Sequence, residues 1–284
     1  MRQISIQYGL ANNSLLYYRH NCRGPARAHA VVPEGVRYMD RIIKITLGLF
    51  IVILVSFAGV FMYTGYIENA YRTSLSSTYT YTCTISTDSP LYNVTFFIPV
   101  PANRAGNSPV ISQFSAKNIA GVPDTWTTTV FGSDKMTMLK VTTPAIIPPA
   151  GTTAKNPYII SFGTELNTKG PIDTVDPVLD SAMFRPVQNI GKADCKSNSP
   201  TGASCFTYTT SFYADYITNP NAEVKFTSSL AGRNSWKIFE QKSNEYRTDI
   251  SLLMFGENHG WTSAQGFLET GSGAHDAPVT PTSS

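Results

Sequence analysis

Between Lys44 and Glu68 the chain runs for 23 residues without a charge, ITLGLFIVILVSFAGVFMYTGYI from Ile45 to Ile67. A helix of that length rises ~35 Å, more than the roughly 30 Å of a bilayer's hydrocarbon core, so it can cross with some tilt. A core helix of a soluble protein rarely runs so far without a polar face. The spanning helix is therefore read as residues 42–67, with Tyr63 and Tyr66 at the end where amphipathic rings settle among headgroups. Flanking charge sets its direction. Residues 1–44 hold seven Lys/Arg against Glu34 and Asp40, a net +5, whereas everything after Ile67 holds fifteen basic and seventeen acidic residues, a net −2. Arg37, Arg41 and Lys44 outweigh the lone Arg72 just past the helix. This predicts a single-pass protein of the cell membrane, with a cytoplasmic N-terminus and an extracytoplasmic C-terminus. A cleaved secretory signal fits less well, because about forty residues precede the run and the run exceeds the usual apolar core of such peptides. The charge split describes topology and gives no reason to expect nucleic acid as a partner.

The remaining chain divides around that helix. Residues 1–41 lack sustained periodicity and read as a flexible, basic cytoplasmic tail that touches anionic headgroups. Residues 68–77 read as a polar stalk, 78–269 as an external domain, and 270–284, rich in Gly, Ser, Thr and Pro, as a disordered tail. Within the external domain the apolar period is two. Tyr79, Tyr81, Cys83 and Ile85 fall on one face and Thr78, Thr80, Thr82 and Thr84 on the other, the mark of a strand with one wet face. Thr87-Asp88-Ser89-Pro90 is a turn, and Tyr92, Val94, Phe96 and Ile98 then alternate up to Pro99. Further strands are expected over 125–131, 135–143, 157–163, 206–216, 222–230, 235–240, 246–255 and 260–269. Gly232-Arg233-Asn234 and Gln241 to Asn244 serve as connectors, and one brief helix lies at 178–184. The expected fold is mainly β, an antiparallel two-sheet sandwich for which a Greek-key order is one arrangement.

Chemistry-bearing residues are sparse. Only His259 and His275 lie beyond the span, too few for a multi-histidine zinc site, and no Gly-x-Ser-x-Gly elbow or phosphate-cradling glycine loop is present. Glu257-Asn258-His259-Gly260 reads as an inter-strand turn with Asn258 or Gly260 at positive φ. Asp173, Asp176 and Asp180 lie close together, but without the spacing of a calcium loop, and fit better as a solvated loop capping the short helix. Glu245 and Arg247 flank Tyr246 and point away from it, as an ion pair or a ligand contact. Trp126, Trp236 and Trp261 all fall in the external domain, either as core or together as a sugar-stacking platform. Asn93-Val94-Thr95 is the one N-x-[ST] acceptor sequon beyond the span. Four cysteines leave three outside: Cys195 and Cys205, enclosing a turn-forming stretch with Asn198, Ser199, Pro200 and Gly202, are expected to be bridged, and Cys83 to be a buried thiol.

Two stretches are familiar. Ile85 to Pro101, ISTDSPLYNVTFFIPVP, and the later Gly232-Arg233-Asn234-Ser235-Trp236, Ser243-Asn244-Glu245-Tyr246-Arg247 and Gly260-Trp261 resemble segments of uncharacterised membrane-anchored surface proteins of archaea. The resemblance spans residues 45–271 in outline and implies an N-terminal anchor with an external β-domain. It carries no catalytic residue. Lys237 after Trp236 departs from it, where a second aromatic is expected.

Together these readings favour a non-enzymatic surface protein, without cofactor or metal, whose β-domain binds a partner protein or an envelope glycan. An accessory subunit of a membrane complex and a tethered extracytoplasmic hydrolase working through paired carboxylates are the alternatives.

Overall fold

The computed structural model describes residues 34–116, 118–133, 136–179, 181–197, 199 and 202–273. The tail readings for residues 1–33 and 274–284 lie outside the described residues.

One helix, α1 (Glu34–Ser74), contains the whole uncharged run, and it is long and apolar enough to cross a membrane. Its apolar side chains from Ile42 to Met62 are exposed. The helix starts earlier and ends later than the sequence suggests. The part of the tail from Glu34 on is helical, and the stalk is absent as a separate element, because residues 68–74 continue the helix and Ser76–Ser77 already belong to a strand. The chain divides into two compact units between Phe61 and Met62, inside α1.

Among the described residues, the second unit holds, after the end of α1, twelve strands and a short helix. In chain order they are β1 (Ser76–Thr87), β2 (Leu91–Pro99), β3 (Pro101–Ala102), α2 (Ile111–Ser115), β4 (Thr127–Ser133), β5 (Met136–Ile146), β6 (Tyr158–Thr168), β7 (Met183–Phe184), β8 (Gln188–Ala193), β9 (Ser204–Ile217), β10 (Glu223–Lys237), β11 (Gln241–Phe255) and β12 (Asn258–Gly273). Ten of the strands form one antiparallel sheet in the order β4-β5-β2-β9-β12-β11-β10-β1-β6, with β8 beside the first half of β9, and β3 pairs separately with β7.

The mainly β, antiparallel architecture is as expected, but it is a single, strongly curled sheet and not two stacked ones. The curl is visible in contacts between strands that are not neighbours. Phe212 on β9 and Phe226 on β10 have two strands between them, yet their ring centroids are 4.5 Å apart. Trp126, just before β4 at one edge, meets Phe162 on β6 at the other edge at 6.0 Å. Ala120 and Gly163 exchange backbone hydrogen bonds of 3.1 and 3.0 Å across that seam, which covers the β6 edge and removes a template for edge-to-edge pairing. Inward residues of every long strand thus converge on one apolar core, including Tyr81, Ile85, Phe96, Tyr208, Phe212, Tyr216, Phe226, Tyr246 and Ile250.

Three local readings need correction. Gly232-Arg233-Asn234 is the middle of β10, not a connector, and Gln241 to Asn244 belong to β11, so the two form one long hairpin turning at residues 238–240. Gly232 lies in register between Tyr79 and Tyr246, and a Cβ there would sit 2.3 Å from the Tyr246 ring; the position needs a hydrogen for packing, not for turning. The expected helix at 178–184 is instead a turn followed by β7. The β11–β12 turn has its left-handed residue at Gly256 (φ 67°); Asn258 and Gly260 are already in the strand, where Gly260 has the expected positive φ, at 158°.

Candidate functional site

Outward-facing side chains of a strand normally meet water, so outward aromatics on this sheet stand out. In β2 the inward phase belongs to Val94, Phe96 and Ile98, which puts Phe97 outside. In β9 it belongs to Tyr208, Phe212, Ala214 and Tyr216, which puts Tyr213 outside. In β12, Ala264 and Leu268 are inward, and Trp261 is outward and 60% exposed. Register aligns these residues. Lys140 on β5, Phe97, Tyr213 and Trp261 are successive cross-strand partners in one row over four strands.

The row is a continuous aromatic surface. Phe97 and Tyr213 lie 5.3 Å apart edge-on, Tyr213 and Trp261 5.4 Å apart, and Phe97 and Trp261 6.2 Å apart. Exposed Phe131 on β4 extends it, 6.3 Å from Phe97, and the Lys140 ammonium lies 5.7 Å from the centre of the Phe97 ring. Two residues along, the next row supplies polar groups. Asp215 pairs with His259 at 2.8 Å between Oδ1 and Nδ1, and Glu257 lies 3.8 Å from the other ring nitrogen. The hydrogen bond to Asp215 raises the His259 pKa above its ordinary value.

β12 carries this surface onward. Beyond Trp261 its outward residues are Ser263, Gln265 and Phe267, and Gln265 and Phe267 line a trough of about 670 Å³ between β1, β10, β11, β12 and β9. Hydroxyls and amides dominate its walls: Thr82, Thr84, Thr227, Ser229, Ser251 and Thr207 beside Gln265. Arg247 and Asp249 form an ion pair at 3.0 Å along one side, and the Lys196 ammonium stands 4.5 Å over the Phe267 ring. At ~3.4 Å per residue, Trp261 and Phe267 lie about 20 Å apart along the strand.

The predicted site residues separate. Trp261 is the only one of the three tryptophans on this surface. Trp126 is 8% and Trp236 1% exposed, the first against Phe162 and the second against Tyr71, so a three-tryptophan platform does not exist. Tyr246 points inward and Arg247 outward into the trough, while Glu245 lies beyond a bulge in the β11–β12 register. Asn93 is exposed, at φ 54°, where the β2–β9 register shifts. Cys195 and Cys205 are bridged, and Cys83 is a buried free thiol whose burial pushes its pKa well up. Asp173 turns Oδ1 onto the Val175 and Asp176 backbone N–H groups at 2.9 and 3.0 Å, and Asp180 lies outside the described residues. Among the described residues no group of three His, Cys, Asp or Glu side chains is arranged to hold a metal ion. Phe97, Tyr213, Phe131 and Lys140 were not singled out in the sequence, although an aromatic out of phase with its strand's inward set is a signal that could have found the first two.

No protein-family model, curated protein or solved structure matches the chain.

Proposed function

We propose that this chain is a single-pass, membrane-anchored surface protein whose β-domain holds a glycan of the cell envelope without transforming it. One observation carries the reading: an outward row of half-buried Phe97 and Tyr213 and exposed Trp261, built across three paired strands and continuous along β12 with a hydroxyl-lined trough. Water-facing aromatic surface of this extent is costly unless something covers it. Sugar rings suit it, because their C–H faces stack on aromatic rings while their hydroxyls exchange hydrogen bonds with groups such as Gln265, Asp249 and the trough's threonines. Aromatic surfaces ~20 Å apart on one strand favour an extended polymer over a single sugar. The basic N-terminal flank and the Cys195–Cys205 bridge support an extracytoplasmic β-domain, since disulfides persist in oxidising compartments.

Because Trp126 and Trp236 are buried, Trp261 is the tryptophan a ligand can reach. Adding envelope polysaccharide to the full chain in detergent is expected to shift its tryptophan emission to the blue. Trp261→Ala removes that shift and weakens retention on immobilised polysaccharide at least tenfold, by loss of about 1.4 kcal/mol or more. Unchanged retention in the Trp261→Ala protein overturns the assignment of this surface.

A further inference from the structure

The tip of the β10–β11 hairpin carries an aromatic residue with no role in the core. Phe239 is 65% exposed, at the turn of two 15-residue strands, and what it does touch is the helix: its ring lies 6.4 Å from that of Tyr66, itself 56% exposed. Tyr66 is the last aromatic residue of the uncharged run, one residue before it ends at Ile67. The hairpin is also fastened along the last two turns of α1. Trp236 packs edge-on against Tyr71 at 5.8 Å, the Lys237 N–H donates to Ser74 Oγ at 2.9 Å, and the same hydroxyl lies 2.9 Å from Lys237 O. From Ser74 back to Tyr66 the helix axis descends about 12 Å, and the hairpin follows it down from Lys237 to Phe239.

We infer that the β10–β11 hairpin tip is a second membrane contact, with Phe239 seated beside Tyr66 in the outer headgroup layer of the bilayer that α1 crosses. This rests on the reading of α1 as a membrane span. The occupant of the exposed Phe239 surface is lipid because the surface continues the aromatic end of the span, at the depth where Tyr rings settle and an apolar Phe side chain can bury into the boundary between headgroups and acyl chains. Lys237 and Gln241, both exposed at the tip's shoulders, keep their polar ends in the wet part of that layer. The consequence is mechanical: two attachment points, the helix and the hairpin, restrict how the β-domain can tilt over the membrane.

Site-directed spin labelling tests it on the full chain in vesicles of phosphatidylcholine and phosphatidylglycerol. Nitroxides are placed by Phe239→Cys, by Leu54→Cys in the middle of the run and by Ser251→Cys on the trough, each with Cys22→Ser; Cys83 is buried and the other two cysteines are bridged. Collision with oxygen, which favours lipid, is compared with collision with a water-soluble nickel complex. The expected result is several-fold lower nickel collision at 239 than at 251, with 54 deepest of the three. Nickel collision at 239 equal to that at 251 while 54 remains deep overturns the hairpin contact and leaves the span standing. Water-like collision at 54 overturns the span and the inference with it.

Discussion

Asn234 shows how much one residue can organise when all its hydrogen-bonding capacity is used. Fully buried on β10, its Oδ1 accepts from Ser77 Oγ and the Ile172 N–H, each at 2.8 Å, and its Nδ2 donates to Ile172 O at 2.7 Å and Asn244 Oδ1 at 2.8 Å. One amide thus ties together β1, β10, β11 and the loop preceding β7. Truncation leaves several buried donors and acceptors unpaired, so Asn234→Ala is expected to destabilise the β-domain by about 3 kcal/mol, read as a lower urea midpoint with unchanged slope. The exposed pair of Asp215 and His259 is of a different kind. Its hydrogen bond favours the imidazolium and raises the folded-state pKa of His259. Stabilisation from a raised pKa is complete below the unfolded value near 6.5 and disappears as pH rises through the folded one. In an NMR titration the His259 midpoint is therefore expected to fall toward the ordinary value in Asp215→Asn, with only a small change in unfolding, since exposed pairs contribute little. An unmoved midpoint would show that the contact does not persist in solution.

At the scale of strands, pairing depends on which residues leave room for the tyrosines. Gly266 on β12 is opposite Tyr208 on β9, and a Cβ at Gly266 would stand 2.4 Å from Tyr208 Cζ. The ring cannot swing away cheaply, because it is buried and its hydroxyl shares a 2.6 Å hydrogen bond with Thr248. Gly266→Ala is therefore expected to cost about 1–3 kcal/mol by overpacking, seen as a lower midpoint in thermal unfolding. A neutral outcome would mean that Tyr208 has another rotamer within reach. The same residues explain what was legible in the sequence. β1, and residues 94–98 of β2, 208–216 of β9 and 246–254 of β11, were readable because those stretches keep a period of two, with mostly aromatic or β-branched residues in the inward phase. β10 reads as two strands because Gly-Arg-Asn is turn chemistry when read locally; only the facing Tyr79 and Tyr246, far off in sequence, make a glycine the right strand residue there. β3 and β7 are two residues each and β8 has an almost wholly exposed face, so neither length nor alternation marked them. The candidate site was only partly legible for the same reason. Trp261 and Arg247 could be named as surface residues of strands, but which strands stand side by side, and so which aromatics join into a row, depends on long-range pairing that no local pattern encodes.

For the whole molecule, given the proposal that α1 spans a membrane, two unrelated pieces of chemistry bear on which side of it the β-domain occupies. The flank before the uncharged run carries Arg37, Arg41 and Lys44, and basic residues next to a span resist translocation. The β-domain, in turn, holds a bridge between Cys195 and Cys205 that joins the loop after β8 to the start of β9, and such bridges are reduced in the cytoplasm. An inverted chain would need both to be wrong at once: its cationic flank moved across the membrane and its disulfide kept in a reducing compartment. Epitope tags before Met1 and after Ser284 separate the two topologies directly. Protease added to intact cells is expected to destroy the C-terminal tag and spare the N-terminal one, and detergent permeabilisation to expose both. A C-terminal tag that survives until the membrane is opened, while the N-terminal one is lost, reverses the orientation and takes with it the envelope glycan as a ligand, since the aromatic row would then face the cytoplasm.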